Sequence, residues 1–229
     1  MNTCITSFGK GHNFIKGIER LKINIEKDVK LPFFGYTEYP TDCPTHEKSP
    51  FAFKFYCINE CLKMGYKQIL WLDSSVIVKN SLEDVFNFIN QYGYFFVMNG
   101  HNIGAYCHDK ALKTLGITRE QSFQIPSLQG TNFGLNFEND SAIIFLKKMF
   151  EYANDNITFV GPHNNNNNYA STDNRVLGHR HEQTAMSVVS IKLGMNKWAV
   201  NETKWFYHDR NYVKSVISTV EDINMSEER

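Results

Sequence analysis

Apolar residues in this chain fall either into short dense runs or into stripes at helical spacing. Thr3 to Phe8 is a compact, partly β-branched run that stops at Gly9-Lys10-Gly11, which predicts a first strand and a plain turn. Phe14, Ile15, Ile18, Leu21 and Ile25 then recur at helical spacing, and Leu31 to Tyr36 reads as a second short strand with Pro32 at its start. Residues 37–48 are polar and broken by prolines, hence loop. Ser49-Pro50 offers a cap and a first helical position for a helix with its stripe at Phe51, Phe55, Ile58 and Leu62, ended by Gly65.

The densest run is Tyr66 to Leu72. Four consecutive apolar residues, Ile69, Leu70, Trp71 and Leu72, suit a strand covered on both faces, as in a parallel α/β sheet. It ends abruptly in Asp73-Ser74-Ser75. In open α/β sheets ligands bind beyond the carboxyl ends of strands, so Asp73 is a candidate site residue; the alternative is that it caps the next element.

The alternation then continues. Val76 to Val78 is extended, Ser81 to Asp84 opens a helix with an Asp variant of the capping box, and Gly93 ends it. Tyr94 to Met98 predicts a strand and 99–104 a polar loop. A short helix around Lys110 to Leu115 and a loop through Pro126 lead to a strand over Gln129 to Phe137. Asn139 to Tyr152 is a strongly amphipathic helix, 161–178 with its run Asn164 to Asn168 reads as a mobile loop, and a further helix opens at 178–184. Trp198 to Val200 and Trp205 to His208 suggest edge strands. Strands alternating with helices predict an α/β fold: a single Rossmann-like domain over 1–208, with a mostly parallel sheet flanked by helices, and a peripheral helix or tail over 209–229.

Composition narrows the partners. Twenty-four basic residues balance 24 acidic ones, so no net field draws the protein to nucleic acid or an anionic membrane. Neither a signal-peptide pattern nor a membrane span is evident. The five cysteines are odd in number and form no C-x-x-C pair, which predicts a reducing, cytoplasmic setting and buried thiols at Cys57 and Cys61.

Two further places carry candidate chemistry. Lys54, in the first turns of its helix, either reaches a phosphate at the ligand edge or is simply solvated. Gly178-His179-Arg180-His181-Glu182-Gln183-Thr184 allows a zinc site, a structural helix start or a sugar site. The H-x-H-E order is not the H-E-x-x-H arrangement that sets two imidazoles on one helical face.

Pro50-Phe-Ala-Phe-Lys54, Trp71-Leu-Asp-Ser-Ser75 and Gly178-His-Arg-His-Glu-Gln-Thr184, in this order, resemble the GT-A class of nucleotide-sugar glycosyltransferases, most closely GT-A-like proteins of bacteria and large viruses. The resemblance implies a GT-A-like fold and transfer of a sugar from a nucleotide-diphosphate donor (UDP-, GDP- or dTDP-linked) to a carbohydrate or other hydroxyl acceptor. It also implies donor contacts from Thr6, Lys54, Asp73, Ser74, Ser75, His181 and Gln183, with Glu182 as the catalytic carboxylate. The class motif Asp-any-Asp, with a late histidine, holds Mn2+ or Mg2+; the matching positions here are Asp73, Ser75 and His208. Ser75 stands where the second carboxylate belongs, and a neutral hydroxyl is a poor ligand for these cations. The competing expectation is a non-catalytic nucleotide- or glycan-binding module with a degenerate metal motif.

Overall fold

A computed structural model describes residues 2–209 of the chain. Strands β1 (Thr3–Phe8), β2 (Phe33–Tyr36) and β3 (Gln68–Leu72) are parallel and ordered β2-β1-β3, with α1 (His12–Asn24) and α2 (Phe53–Lys63) as the crossovers. There follow β4 (Val76–Val78), α3 (Glu83–Tyr92), β5 (Tyr94–Phe95), β6 (Met98–Asn102), α4 (Asp109–Leu115), α5 (Arg119–Phe123), β7 (Pro126–Leu128), β8 (Asn132–Asn136), α6 (Asp140–Ala153), α7 (His181–Lys192) and β9 (Phe206–His208). The central sheet runs β2-β1-β3-β8-β5. β8 is antiparallel to both of its neighbours, so β1, β2, β3 and β5 point one way and β8 the other. This is the mostly parallel α/β sheet that the sequence predicts. Two ribbons, β4 with β9 and β6 with β7, flank it.

Period-two alternation distributes the strand side chains between two cores. Cys4, Ile69, Trp71, Phe133 and Leu135 pack under α2, α6 and α7 on one face. Ile5, Leu70 and Leu72 meet α1, α3 and β4 on the other. The uninterrupted run at 69–72 is explained by this double cover, every one of its four side chains being fully buried. Gly134 of β8 is needed for the same packing, since a Cβ there would lie 2.4 Å from Ile89 Cδ1. No helix among the described residues is long and apolar enough to cross a membrane.

The structure departs from the sequence reading at six places. The capping box expected at Ser81 to Asp84 does not form, α3 starting after Leu82 with no side-chain cap, and Trp198 to Val200 contributes only a single bridge, Ala199 with Val97, rather than an edge strand. Ser49-Pro50 does not start α2; the chain makes a turn in which Phe51 takes a left-handed conformation (φ 64°), and the helix starts at Phe53. Part of the expected polar loop after Met98 is β6, paired with β7. The expected loop before Pro126 contains α5, started by a capping box between Thr118 and Gln121. The segment 161–178 is fastened rather than loose: Asn165 Nδ2 donates to the carbonyls of Ser171 (2.9 Å) and Val176 (3.0 Å), and its Oδ1 accepts from the amides of Ala170 (2.8 Å) and Ser171 (3.1 Å).

The expected peripheral helix beyond residue 209 lies outside the described residues. Asp209 itself is buried, pairs with Arg20 of α1, and donates its N–H to the Ser75 carbonyl (2.9 Å).

The Asn165 fastening yields a stability prediction. Asn165→Ala should cost about 1–3 kcal/mol, because it leaves two amides and two carbonyls of a tight loop without their partner. Urea denaturation of the variant beside the parent measures this, and an unchanged midpoint would refute it.

Candidate functional site

The crossover from β1 leads to β2 on one side and the next crossover returns to β3 on the other, which makes the carboxyl edge shared by the parallel strands β1 and β3 the switch point of the sheet. Asp73 sits there, one residue beyond β3. Its N–H donates to Thr131 O (2.8 Å), its carbonyl accepts from Val76 N (2.9 Å), and Trp71 Nε1 donates to its Oδ1 (2.7 Å). The side chain is a quarter exposed. One carboxylate oxygen is thereby oriented by the strand it terminates, while the group keeps an open side. Asp73 heads no helix, so the capping alternative does not apply.

Behind Asp73 lies a buried charge cluster. Lys54 Nζ is 2.7 Å from Gly130 O, 2.9 Å from Glu182 Oε1 and 3.2 Å from Asp73 Oδ1. The Lys54 and Glu182 side chains are each 2% exposed. Burial works against the ammonium, but the Asp73 and Glu182 charges outweigh it and hold its pKa above the ordinary value; burial pushes the Glu182 carboxyl up against the pull of Lys54. The phosphate-reaching role expected of Lys54 is not what this geometry provides. Three acceptors inside the protein take its three donors, so Lys54 positions the carboxylates instead. A Cβ at residue 130 would fall 2.2 Å from Glu182 Oε1, so only glycine admits the carboxylate here.

A cleft opens in front of Asp73. An inner cavity of about 290 Å³ is lined by Asp73, Ser74, Ser75, Thr131 and four phenylalanines, Phe8, Phe14, Phe51 and Phe53. The same four rings line an outer cavity of about 710 Å³, together with Gly9, Lys10, Gly11, Tyr39, His46 and Glu47. Phe8 stacks on Phe53 at 4.4 Å between centroids and lies 5.0 Å from Tyr39. The turn Gly9-Lys10-Gly11, which the sequence offers only as a plain turn, is thus a wall of the larger cavity. α1 starts from it with no capping side chain and no acidic residue in its first turn.

The remaining predicted residues divide. Ser74 and Ser75 line the inner cavity, and their carbonyls are within 3.4 Å and 3.3 Å of Arg20 Nη2. Thr6 is not at the cleft: it is fully buried in mid-strand and its hydroxyl donates to Phe34 O (3.0 Å). His181 is 9% exposed and packs against Phe51 at 5.6 Å, its Nδ1 bonded to Phe159 O (2.8 Å). Gln183 Oε1 accepts from Asn99 Nδ2 (3.2 Å) on the β6 ribbon. His208 stands opposite Val76 across the β4/β9 ribbon with Nε2 on Glu202 Oε1 (2.9 Å).

These positions do not make a resident metal centre. No three His, Cys, Asp or Glu side chains among the described residues come together to hold an ion. Asp73 Oδ1 already faces the Lys54 ammonium and the Trp71 N–H, Ser75 supplies no charge, and the ring nitrogen of His208 nearest a carboxylate is committed to Glu202. The donor set therefore does not fit the Mn2+ or Mg2+ that the motif resemblance implies.

No family model and no curated protein matches the chain in sequence. Among solved structures it is similar to a glycosyltransferase involved in the glycosylation of the major capsid of PBCV-1, at 13% identity over 97% of this chain and 99% of that one, TM-score 0.49. It is also similar to mouse xyloside xylosyltransferase 1 (7% identity, 89% and 86%, TM-score 0.47) and to the glycosyltransferase GlyE of Streptococcus pneumoniae TIGR4 (10%, 87% and 45%, TM-score 0.42). All three are glycosyltransferases, the class that the sequence motifs resemble.

The charge cluster has a measurable signature. Lys54→Met should destabilise the protein by about 3–5 kcal/mol, because Glu182 is left as an uncompensated buried carboxylate. Lys54→Met combined with Glu182→Gln should recover part of that loss. A double-mutant cycle from denaturant melts reads the coupling, and additive single effects would contradict the pair.

Proposed function

We propose that this chain transfers a sugar from a nucleotide-diphosphate donor, bound in the cleft, to a carbohydrate or other hydroxyl acceptor. The observation that carries the reading is the continuous aromatic cleft running from the start of α1 to Asp73 across the switch point of the sheet. Stacked rings suit a nucleobase, with Phe8, Phe53 and Tyr39 as the walls. α1 begins with no side-chain cap and no acidic residue in its first turn, which suits a diphosphate at that end of the outer cavity, with Lys10, paired with Glu38, on the same wall. Asp73, fixed on one oxygen and open on the other side, would bind ribose or sugar hydroxyls.

Chemically, the bond between the anomeric carbon and the diphosphate oxygen breaks, a bond from that carbon to the acceptor oxygen forms, and the acceptor proton passes to the departing diphosphate. A carboxylate beside the anomeric carbon assists by orienting the acceptor and countering developing charge. Asp73 is the carboxylate that the inner cavity exposes. Glu182, expected as the catalytic carboxylate, would act through Lys54 by holding Asp73 in place.

The enclosure of Glu182 favours a second reading, a non-catalytic module that binds nucleotides or glycans. Titration calorimetry with UDP, GDP and dTDP and their sugars, with and without manganese, distinguishes the two. The transferase reading expects saturable binding and release of the free nucleoside diphosphate, whereas binding without release supports the module. No saturable binding of any nucleotide would refute the transferase reading and the nucleotide-binding form of the module. Asp73→Asn should weaken binding by about 1.5–3 kcal/mol, the range for a hydrogen bond to a charged group, and should also lower the melting temperature, because the buried Lys54 ammonium loses one of its two carboxylates. A loss of stability with unchanged binding would remove Asp73 from the site.

A further inference from the structure

Four consecutive carbonyls, at residues 157–160, are each held by an imidazole. His108 Nε2 lies 3.2 Å from Ile157 O and 2.6 Å from Val160 O, His179 Nε2 is 2.9 Å from Thr158 O, and His181 Nδ1 is 2.8 Å from Phe159 O. The rings of His108 and His179 are 4.5 Å apart and those of His179 and His181 are 5.2 Å apart. A carbonyl only accepts, so each of these nitrogens carries the proton. His108 Nδ1 takes the amides of Lys110 and Ala111 as the N-cap of α4, and His179 Nδ1 is buried with no hydrogen-bond partner among the described residues. The cluster is thus built for neutral rings with one proton apiece.

We propose that these three histidines form an acid-sensitive latch, in which protonation of His179 and His181 as the pH falls releases the 157–160 segment together with the first turn of α7. The consequence reaches the cleft. His181 begins α7, immediately before Glu182, and holds a left-handed conformation (φ 45°) that is disfavoured for any residue with a Cβ and persists only while its contacts do. Freeing that turn uncouples Glu182 from Lys54 and so loosens Asp73. The inference goes beyond the proposed transfer reaction and holds whether or not the cleft binds a nucleotide.

The surrounding charges do not offset a second proton. On the α7 side stand Arg180, and Glu182 already paired with Lys54. The loop side contributes His163, with Nδ1 3.3 Å from Arg180 Nη1, and His46 faces His181 from the segment before α2. At α4, Asp109 is paired with Arg119 at 2.5 Å and Lys110 adds a further positive charge. Asp155 is committed to the amides of Ile157 (2.7 Å) and Thr158 (2.8 Å). Burial is the main force lowering both pKa values, the neighbouring imidazoles and Arg180 add to it, and the bonds to Thr158 O and Phe159 O oppose it without prevailing; His179 falls well below the ordinary value and His181 to about 4. Such bases stabilise the closed form fully above the ordinary value of 6.5, and this contribution is lost as the pH falls toward the folded value. For His181 alone, the shift from 6.5 to about 4 favours opening on the order of a hundredfold by pH 4.

Two measurements on the full chain test the latch. In imidazole NMR titrations His179 and His181 should titrate well below the ordinary value of 6.5, and ordinary values for both would overturn the proposal. In hydrogen exchange, corrected for the intrinsic pH dependence of the rates, amides of 157–163 and 181–185 should lose at least tenfold protection between pH 7 and 4.5 while β1 and β3 keep theirs. Protection that is flat with pH, or lost in step with the sheet, would overturn it. His179→Gln and His181→Gln keep a side-chain N–H donor that cannot be protonated, and should move the opening to lower pH by a unit or more. The wild-type measurements decide the matter even if a variant does not fold.

Discussion

A buried ammonium that cannot leave its carboxylates organises this molecule. Lys54 belongs to α2, Asp73 to the end of β3, Glu182 to the first turn of α7, and Gly130 to the turn entering β8. Removing such a cation from water costs several kcal/mol, and only the full set of acceptors offsets that cost. The arrangement is therefore close to all-or-none: four segments distant in sequence must meet correctly or the charge is stranded. Specificity of this kind differs from stability. An apolar trio would pack as well, but it would tolerate sliding between α2 and α7 that the ion cluster forbids.

Much of the fold was legible because double burial leaves a plain mark. The run from Ile69 to Leu72 announces a central strand, and its sudden end at Asp73 announces the edge of the sheet where the cleft lies. What escaped were features decided by distant contacts. β8 has an apolar alternation that gives no direction, and its antiparallel insertion between β3 and β5 follows from the path of the chain through the β6/β7 ribbon. α5 had a readable signal in Thr118 and Gln121, the capping box, hidden within only five helical residues. The asparagine run resembles a mobile linker by composition, yet one member, Asn165, turns its amide inward and staples the loop to itself.

The candidate site was legible in part and for a definable reason. Asp73, Lys54 and Glu182 stand out as charged residues in or beside apolar patterns, and the structure does bring them together. Their division of labour was hidden, because it depends on which of them is enclosed. Exposure separates Asp73, open to the cleft, from Lys54 and Glu182, sealed behind it. Phe51 had looked like a member of a helix stripe, whereas its left-handed turn places its ring, beside that of Phe53, in the cleft wall. The histidines of the 178–184 motif read equally as ligands or as scaffolding, since sequence does not show that a run of bare carbonyls awaits them.

The pairing of Arg20 with Asp209 bears on the order in which the protein is made. These residues are 189 positions apart, yet Arg20 also reaches the carbonyls of Ser74 and Ser75, and the amide of Asp209 closes on Ser75. The turn that carries Asp73 is translated in the first third of the chain and finds its last support only when residue 209 arrives. A nascent chain that has already folded its sheet still holds the guanidinium of Arg20 without this carboxylate. Completion of the cleft thus waits for a contact that spans 189 positions, and the loop-closure entropy of that span must be met first.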